Sequence, residues 1–213
     1  MRKIRNFVKN LETMTTIPAF IYKPTSRPPK LPQPKLLTYE DYARLTPPDS
    51  GHFELHNGKI IYMPSPTPNH QDVCGNIYGE IRNFLKKNRI GRVYIAPLDT
   101  TFTENDTFQP DVLFVSNERL ELVTDKRIVG APDLVVEVLS EGNTKKEMSY
   151  KKHIYESSTV LEYWFINLKK QTITQYENVE GELLQRHLLK SGQTLKSCAI
   201  PDFEIEVKDI FTV

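Results

Sequence analysis

Apolar and polar positions along this chain follow two rhythms, and the switches between them mark its elements. After Asn69, Val73, Ile77, Ile81, Phe84 and Leu85 recur at helical spacing, followed by Lys86, Lys87 and Arg89 and then Gly91. This predicts a long amphipathic helix capped by Asn69. Thr38 and Asp41 are spaced as a capping box and open a short helix through Leu45, ended by Pro47 and Pro48. The same spacing at Thr144 and Glu147 opens a later helix. Elsewhere the period is two. His52 to His56 and Lys59 to Met63 flank Asn57 and Gly58, a pair that tolerates positive φ and predicts a hairpin. Further strands are predicted over residues 93–96, 98–103, 162–167, 171–177, 183–189 and 203–207. No internal repeat is visible. The order predicts an α/β domain built on one central mixed sheet flanked by helices.

Two apolar runs break the pattern by carrying carboxylates. One is Gln109, Pro110, Asp111, Val112, Leu113, Phe114, Val115; the other is Asp133 through Ser140, with Glu137 inside it. Both read as core strands, where an unpaired ionised carboxylate is too costly to be there for stability. Asp111 and Glu137 therefore point to a cation at an open sheet end. Asp133 shares a strand face with Glu137, but it follows Pro132 at a strand entrance, where a turn or capping role accounts for it better. In the helix opened by Thr144, Glu147, Lys151 and Tyr155 lie on one face. Lys151 has two accounts by spacing alone: a surface pair with Glu147, or an ammonium aimed back at Glu137 to stabilise charge on an attacked phosphate.

Composition bounds these readings. The 213 residues suffice for one domain plus an arm. No run reaches the length of a membrane span and no signal-peptide core is visible, so a cytoplasmic protein is expected. Cys74 and Cys198 stand far apart without a CxxC partner, which fits reduced, buried thiols. Net charge of +1 hides an asymmetry. Residues 1–37 hold eight Lys or Arg against Glu12, or +7, leaving 20 basic and 26 acidic residues, or −6. That stretch also holds six prolines and reads as a flexible basic arm outside the core, with residues 38–213 forming the domain. Phosphate binding by the arm and mere solubility account for its charge equally. Met14 offers an alternative start that would remove four of the basic residues.

The ordered series Phe53-Glu54-Leu55, Asn57-Gly58-Lys59, Met63-Pro64-Ser65-Pro66, His70-Gln71, Gln109-Pro110-Asp111-Val112, Ala131 through Ser140, Lys151 with Tyr155, and Glu162-Tyr163-Trp164 resembles the Uma-two family of restriction endonucleases. That family is similar to the PD-(D/E)XK nucleases. The resemblance implies a restriction endonuclease-like domain that hydrolyses phosphodiester bonds, in DNA, with magnesium or manganese held by Asp111 and Glu137. The superfamily pattern places Lys two residues after the acid; here that position is Leu139, and the resemblance supplies the cation from Lys151. Glu54 is either a further catalytic carboxylate or a cross-strand polar contact. Gln71, Lys145, Lys146 and Lys152 are candidates for holding nucleic acid. Lys86, Lys87, Arg89 and Arg92 could also hold the backbone, and each basic cluster taken alone is better accounted for as a solvated helix end. Gln71 and His70, in the first turn of the long helix, could face the same cleft, though His70 is better accounted for as a capping or solvated residue than as a metal ligand. A homodimer is expected from how such nucleases cut both strands. Two other classes stay open. One is a nuclease-fold module that binds nucleic acid or protein without cleavage, which Leu139 favours; the other is a hydrolase of a different phosphate ester.

Overall fold

A computed structural model describes residues 35–47, 52–139 and 144–212. The basic arm up to residue 34, Met14 and Ser140 lie outside the described residues. Helix α1 (Tyr39–Leu45) opens with the expected capping box between Thr38 and Asp41. Strands β1 (His52–His56) and β2 (Lys59–Met63) form the expected hairpin in one-to-one register. Its turn has positive φ at Asn57 and Gly58, and a Cβ on Gly58 would lie 2.6 Å from that of Leu36. Glycine is needed there on both counts.

Helix α2 (Pro68–Lys87) starts earlier than the pattern predicts. Thr67, not Asn69, is its cap, accepting from the His70 N–H, and Pro68 takes the first turn, where its missing N–H costs nothing. The strands that follow are β3 (Gly91–Ile95), β4 (Thr100–Thr103), β5 (Asp106–Phe108), β6 (Val112–Ser116), β7 (Ile128–Val129) and β8 (Leu134–Leu139). A 3₁₀ turn, Asn117–Leu122, sits between β6 and β7. Helix α3 (Lys145–Ser157) leads to β9 (Glu162–Asn167), β10 (Thr172–Val179), β11 (Glu182–Lys190), β12 (Thr194–Lys196), β13 (Glu204–Glu206) and the short α4 (Val207–Ile210).

The expected central mixed sheet is six-stranded, in the order β11-β10-β9-β8-β6-β3, with β8 parallel to β9 and antiparallel to β6. A second sheet, β2-β1-β5-β4-β7, stands beside it. It is assembled by non-local pairs such as Leu55 with Thr107, which no local pattern announces.

Residues 134–138 of β8 are all buried, because both faces of the central sheet are covered. On one face Val73, Ile77 and Ile81 of α2 pack on Leu134, Val136 and Trp164. On the other, Val135 meets Tyr155 and Ile154 of α3 and Phe108 from the second sheet. The C-terminal segment is fastened by the buried Glu162, whose carboxylate accepts from Trp164 Nε1, Gln175 Nε2, the Ser197 hydroxyl and the N–H groups of Cys198 and Ala199. Of the two free thiols Cys74 is buried as expected and Cys198 is exposed. Among the described residues no helix is long and apolar enough to cross a membrane.

Candidate active site

Three elements bring carboxylates to one cleft. Strands β6 and β8 pair Val112 with Val136, which sets Asp111 beside Glu137 at the end of the sheet. Asp111 Oδ2 accepts from the Val138 N–H at 2.7 Å, fixing its carboxyl on the neighbouring strand. The third carboxylate, Glu54, comes from β1 of the second sheet and is buried. Its Oε1 accepts from the Gln109 N–H at 2.8 Å, and its Oε2 lies 2.7 Å from His56 Nε2.

Lys151 joins two of them. It lies on α3 with its side chain 2% exposed, and its Nζ donates to Glu54 Oε1 at 2.9 Å and to Glu137 Oε1 at 3.0 Å. Of the two accounts left by helical spacing, the inward one is what the structure has. One helical turn on, the Tyr155 hydroxyl also donates to Glu137 Oε1. Asp133 takes the structural role expected of it, at the other end of β8, where it accepts from Ser116 N–H at 2.6 Å and faces Arg119.

Charges in this cluster set each other's protonation. Burial alone would push both glutamates up. At Glu54 the Lys151 ammonium, His56 and the Gln109 N–H outweigh burial and hold its carboxyl at about 2. At Glu137 burial prevails over Lys151, and the neighbouring charges of Asp111 and Glu54 add to it, raising its carboxyl to about 7. Burial would deprotonate Lys151, but the two glutamates reverse this and raise its pKa, so it is a fixed cation.

His70 is not solvated, and its side chain does no capping. Burial places its ring in the cleft wall, with Nε2 3.1 Å from the Val138 carbonyl and 3.4 Å from Asp111 Oδ2. Cys74 Sγ lies 3.5 Å from its Nδ1. Burial lowers the His70 pKa, but Asp111 and the Val138 carbonyl more than reverse that. His70, Cys74 and Asp111 present ligand atoms within 4.8 Å of one another. Of the two positions the sequence leaves open to His70, the structure has the one in the cleft, and running the buried stripe of α2 back one turn from Val73 and Cys74 is the signal that favours it.

The cleft has a volume of about 310 Å³, and Glu54, Asp111, Glu137, Lys151, His70 and Gln71 all line it. Gln71 is exposed at its mouth. The other expected nucleic-acid contacts are elsewhere. Lys152 is engaged by the Leu183 carbonyl at 2.9 Å and by Glu156 at 3.3 Å, tying α3 to β11. Lys145 and Lys146 are exposed in the first turn of α3, outside the cleft lining. One wall residue to which sequence reasoning gave no role is Gln109, whose side chain donates to Asp99 at 2.8 Å while its backbone N–H holds Glu54.

Residues 39–208 match the model of a family described as Uma2, "Putative restriction endonuclease". A similar solved structure is that of a putative nuclease belonging to DUF820 from Anabaena variabilis. It is 21% identical, with a TM-score of 0.69 over 82% of this chain and 97% of that one. At that identity the likeness speaks for the fold. No curated protein matches the chain.

Proposed function

The chain belongs to the Uma2 family, and from that premise we propose that it is a divalent-metal-dependent endonuclease acting on nucleic acid, specifically DNA. The observation that carries this reading is the single buried ammonium of Lys151 held between Glu54 and Glu137, beside Asp111, in a cleft open to solvent. A stable core has no use for three carboxylates at one sheet end.

The donor chemistry fits a hard cation. Asp111 and Glu137 would hold magnesium or manganese, with the Val138 carbonyl as an oxygen donor, and His70 is near enough to add a nitrogen. When bound, the ion would activate water and offset negative charge on the phosphate. Lys151 cannot serve as a base, because its neighbours keep it protonated. Its role is that of a preorganised cation facing the charge that grows on the phosphate oxygens. Glu54 holds that cation in place, and Tyr155 orients the Glu137 carboxyl. The raised Glu137 makes metal binding compete with a proton near neutral pH.

A second reading, a nuclease fold that binds without cutting, draws on Leu139 standing where the superfamily pattern has lysine. One experiment separates the two. The purified protein is assayed with magnesium or manganese on plasmid, single-stranded DNA and RNA, alongside Asp111→Ala and Glu137→Ala, and manganese binding is followed by calorimetry. Cleavage by the parent, with loss of both cleavage and manganese binding in each variant, is expected. Manganese binding without cleavage in the parent would favour the second reading, and unaltered binding in either variant would refute the shared metal site.

A further inference from the structure

α2 and β3 lie side by side and run away from the cleft. Both elements begin or end at the cleft. Gln71 in the first turn of α2 lines it, and Ala96 and Pro97, which follow β3, line it from the other side, with the Ala96 N–H bonded to the Asp111 carbonyl at 3.0 Å. β3 is the edge strand of the central sheet. Gln71, Tyr78 and Leu85 recur every seven residues along α2 and so share a face, which runs about 20 Å from the cleft at 1.5 Å per residue.

Further along, this pair of elements frames a groove of its own, a hollow of about 430 Å³ lined by Arg82, Lys86, Arg92, Tyr78 and Tyr94, with no Asp or Glu in its lining. Among the described residues none of these three cations is paired with a carboxylate. Arg82 Nη1 donates to the Tyr78 hydroxyl at 3.1 Å and Lys86 Nζ to Asn83 Oδ1 at 3.2 Å. Tyr78 and Tyr94 are half-exposed. Lys87 and Arg89 add exposed positive charge at the same end. Along the sequence these residues read first as a solvated helix end and second as contacts to a nucleic-acid backbone. Val93 faces α2, and Arg92 and Tyr94, on the other face of β3, line the same hollow from the sheet edge, so basic and aromatic groups that the sequence order separates meet there.

We propose that this groove is the track along which one unpaired nucleic-acid strand runs to or from the cleft, its phosphates on Arg82, Lys86 and Arg92 and its bases stacking on Tyr78 or Tyr94. The substrate class follows from the chemistry. Stacking on tyrosine needs a base that is not already paired, which selects a single strand over a duplex. Positive charge beside an acidic cluster also answers a physical need, since the three carboxylates alone would repel a polyanion. The proposal rests on the nuclease reading for its direction toward the cleft, but its test does not.

The test is fluorescence anisotropy of labelled single-stranded oligothymidylate with the full-length protein in EDTA, so that nothing is cut. Arg82→Glu with Arg92→Glu should weaken binding at least tenfold and lower the slope of log affinity against log salt by about 1.4, two phosphates' worth. Tyr78→Leu, which keeps an apolar body against the core, should weaken binding about fivefold with the salt slope unchanged. Lys86→Glu alone gives a third reading should the double variant fold poorly. Unchanged oligonucleotide affinity in all three, no binding by the parent, or a groove effect seen with a duplex of equal length and not with the single strand would each overturn the proposal. The nuclease reading stands or falls separately, on metal-dependent hydrolysis by the parent and its loss in Asp111→Ala. A parent that binds through the groove yet cleaves nothing would keep the track and remove the nuclease.

Discussion

Replacing Lys151 by methionine keeps an unbranched side chain one atom shorter and deletes the charge that two buried carboxylates share. The ammonium lies 2.9 Å from Glu54 and 3.0 Å from Glu137, and all three groups are at most 7% exposed. Removing one member of such a buried set costs about 3–5 kcal/mol, because it strands the others without compensation. Against a total stability of about 5–15 kcal/mol, the variant should fold but be much weakened. The loss should depend on pH in a definite direction. Without the ammonium the Glu54 carboxyl rises from about 2, so it takes up a proton as pH falls, as Glu137 already does near 7. A protonated acid needs no counter-charge. Urea unfolding at pH 8 should show the full deficit, and at pH 5 it should shrink toward the ~1–2 kcal/mol of lost hydrogen bonds. Glu54→Gln together with Lys151→Met should recover part of the loss at pH 8, since neighbours in one network do not add. A deficit under about 1 kcal/mol at pH 8, or one that grows toward low pH, would refute the assignment of Lys151 as the compensating cation.

Three further outcomes follow from the same structure. Glu137, raised from 4.5 to about 7, contributes stability that is complete below 4.5 and lost as pH rises through 7, while Glu54, lowered to about 2, contributes stability present above 4.5 and lost as pH falls through 2. The melting temperature in EDTA should therefore decline between about pH 5 and 8, less so in Glu137→Gln, and manganese should raise it more at pH 8 than at pH 5. Glu162→Gln strips the charge from an acceptor of five hydrogen bonds and turns an amide toward some of its donors; it should cost at least about 3 kcal/mol in urea unfolding, with cleavage per folded molecule unchanged. Deleting residues 1–34, whose prolines and charge leave few apolar groups to bury, should change the melting temperature little, and a drop of more than a few degrees would show that Phe20, Ile21 and Tyr22 contribute to the fold.

Asp111 and Glu137 were legible because a carboxylate in a run of valines contradicts its surroundings, and the contradiction is visible in one dimension. Lys151 was legible only as a choice between two directions, since helical spacing tells which residues share a face and not which way that face points. The hairpin at Asn57 was plain from its turn chemistry, yet the place of Glu54 in the cluster depends on β1 pairing with β5, fifty residues away, and on the two sheets standing side by side. His70 was legible as a residue of the first turn able to face the cleft, and its spacing to Cys74 and Ile77 puts it on the buried stripe of α2, but spacing does not show that Val138 and Asp111 lie opposite that stripe. Gln109 and Asp99 gave no signal, because their work is done by one backbone N–H and one side-chain bond across loops.

The lysine between the glutamates also has a mechanical meaning. Glu54 belongs to one sheet, Glu137 to the other, and the cation that holds both comes from a helix after them in the chain. The cluster is thus a rivet through separate layers, and it can close only where those layers have docked. A half-formed chain would carry the acids without the ammonium, so the chemistry would switch on only with completed folding. Conversely, any breathing motion that parts the layers would pull the rivet before it exposed the valines of β8. The molecule would then lose its site earlier than its core, and activity would fade at temperatures where spectroscopy still reports a folded protein.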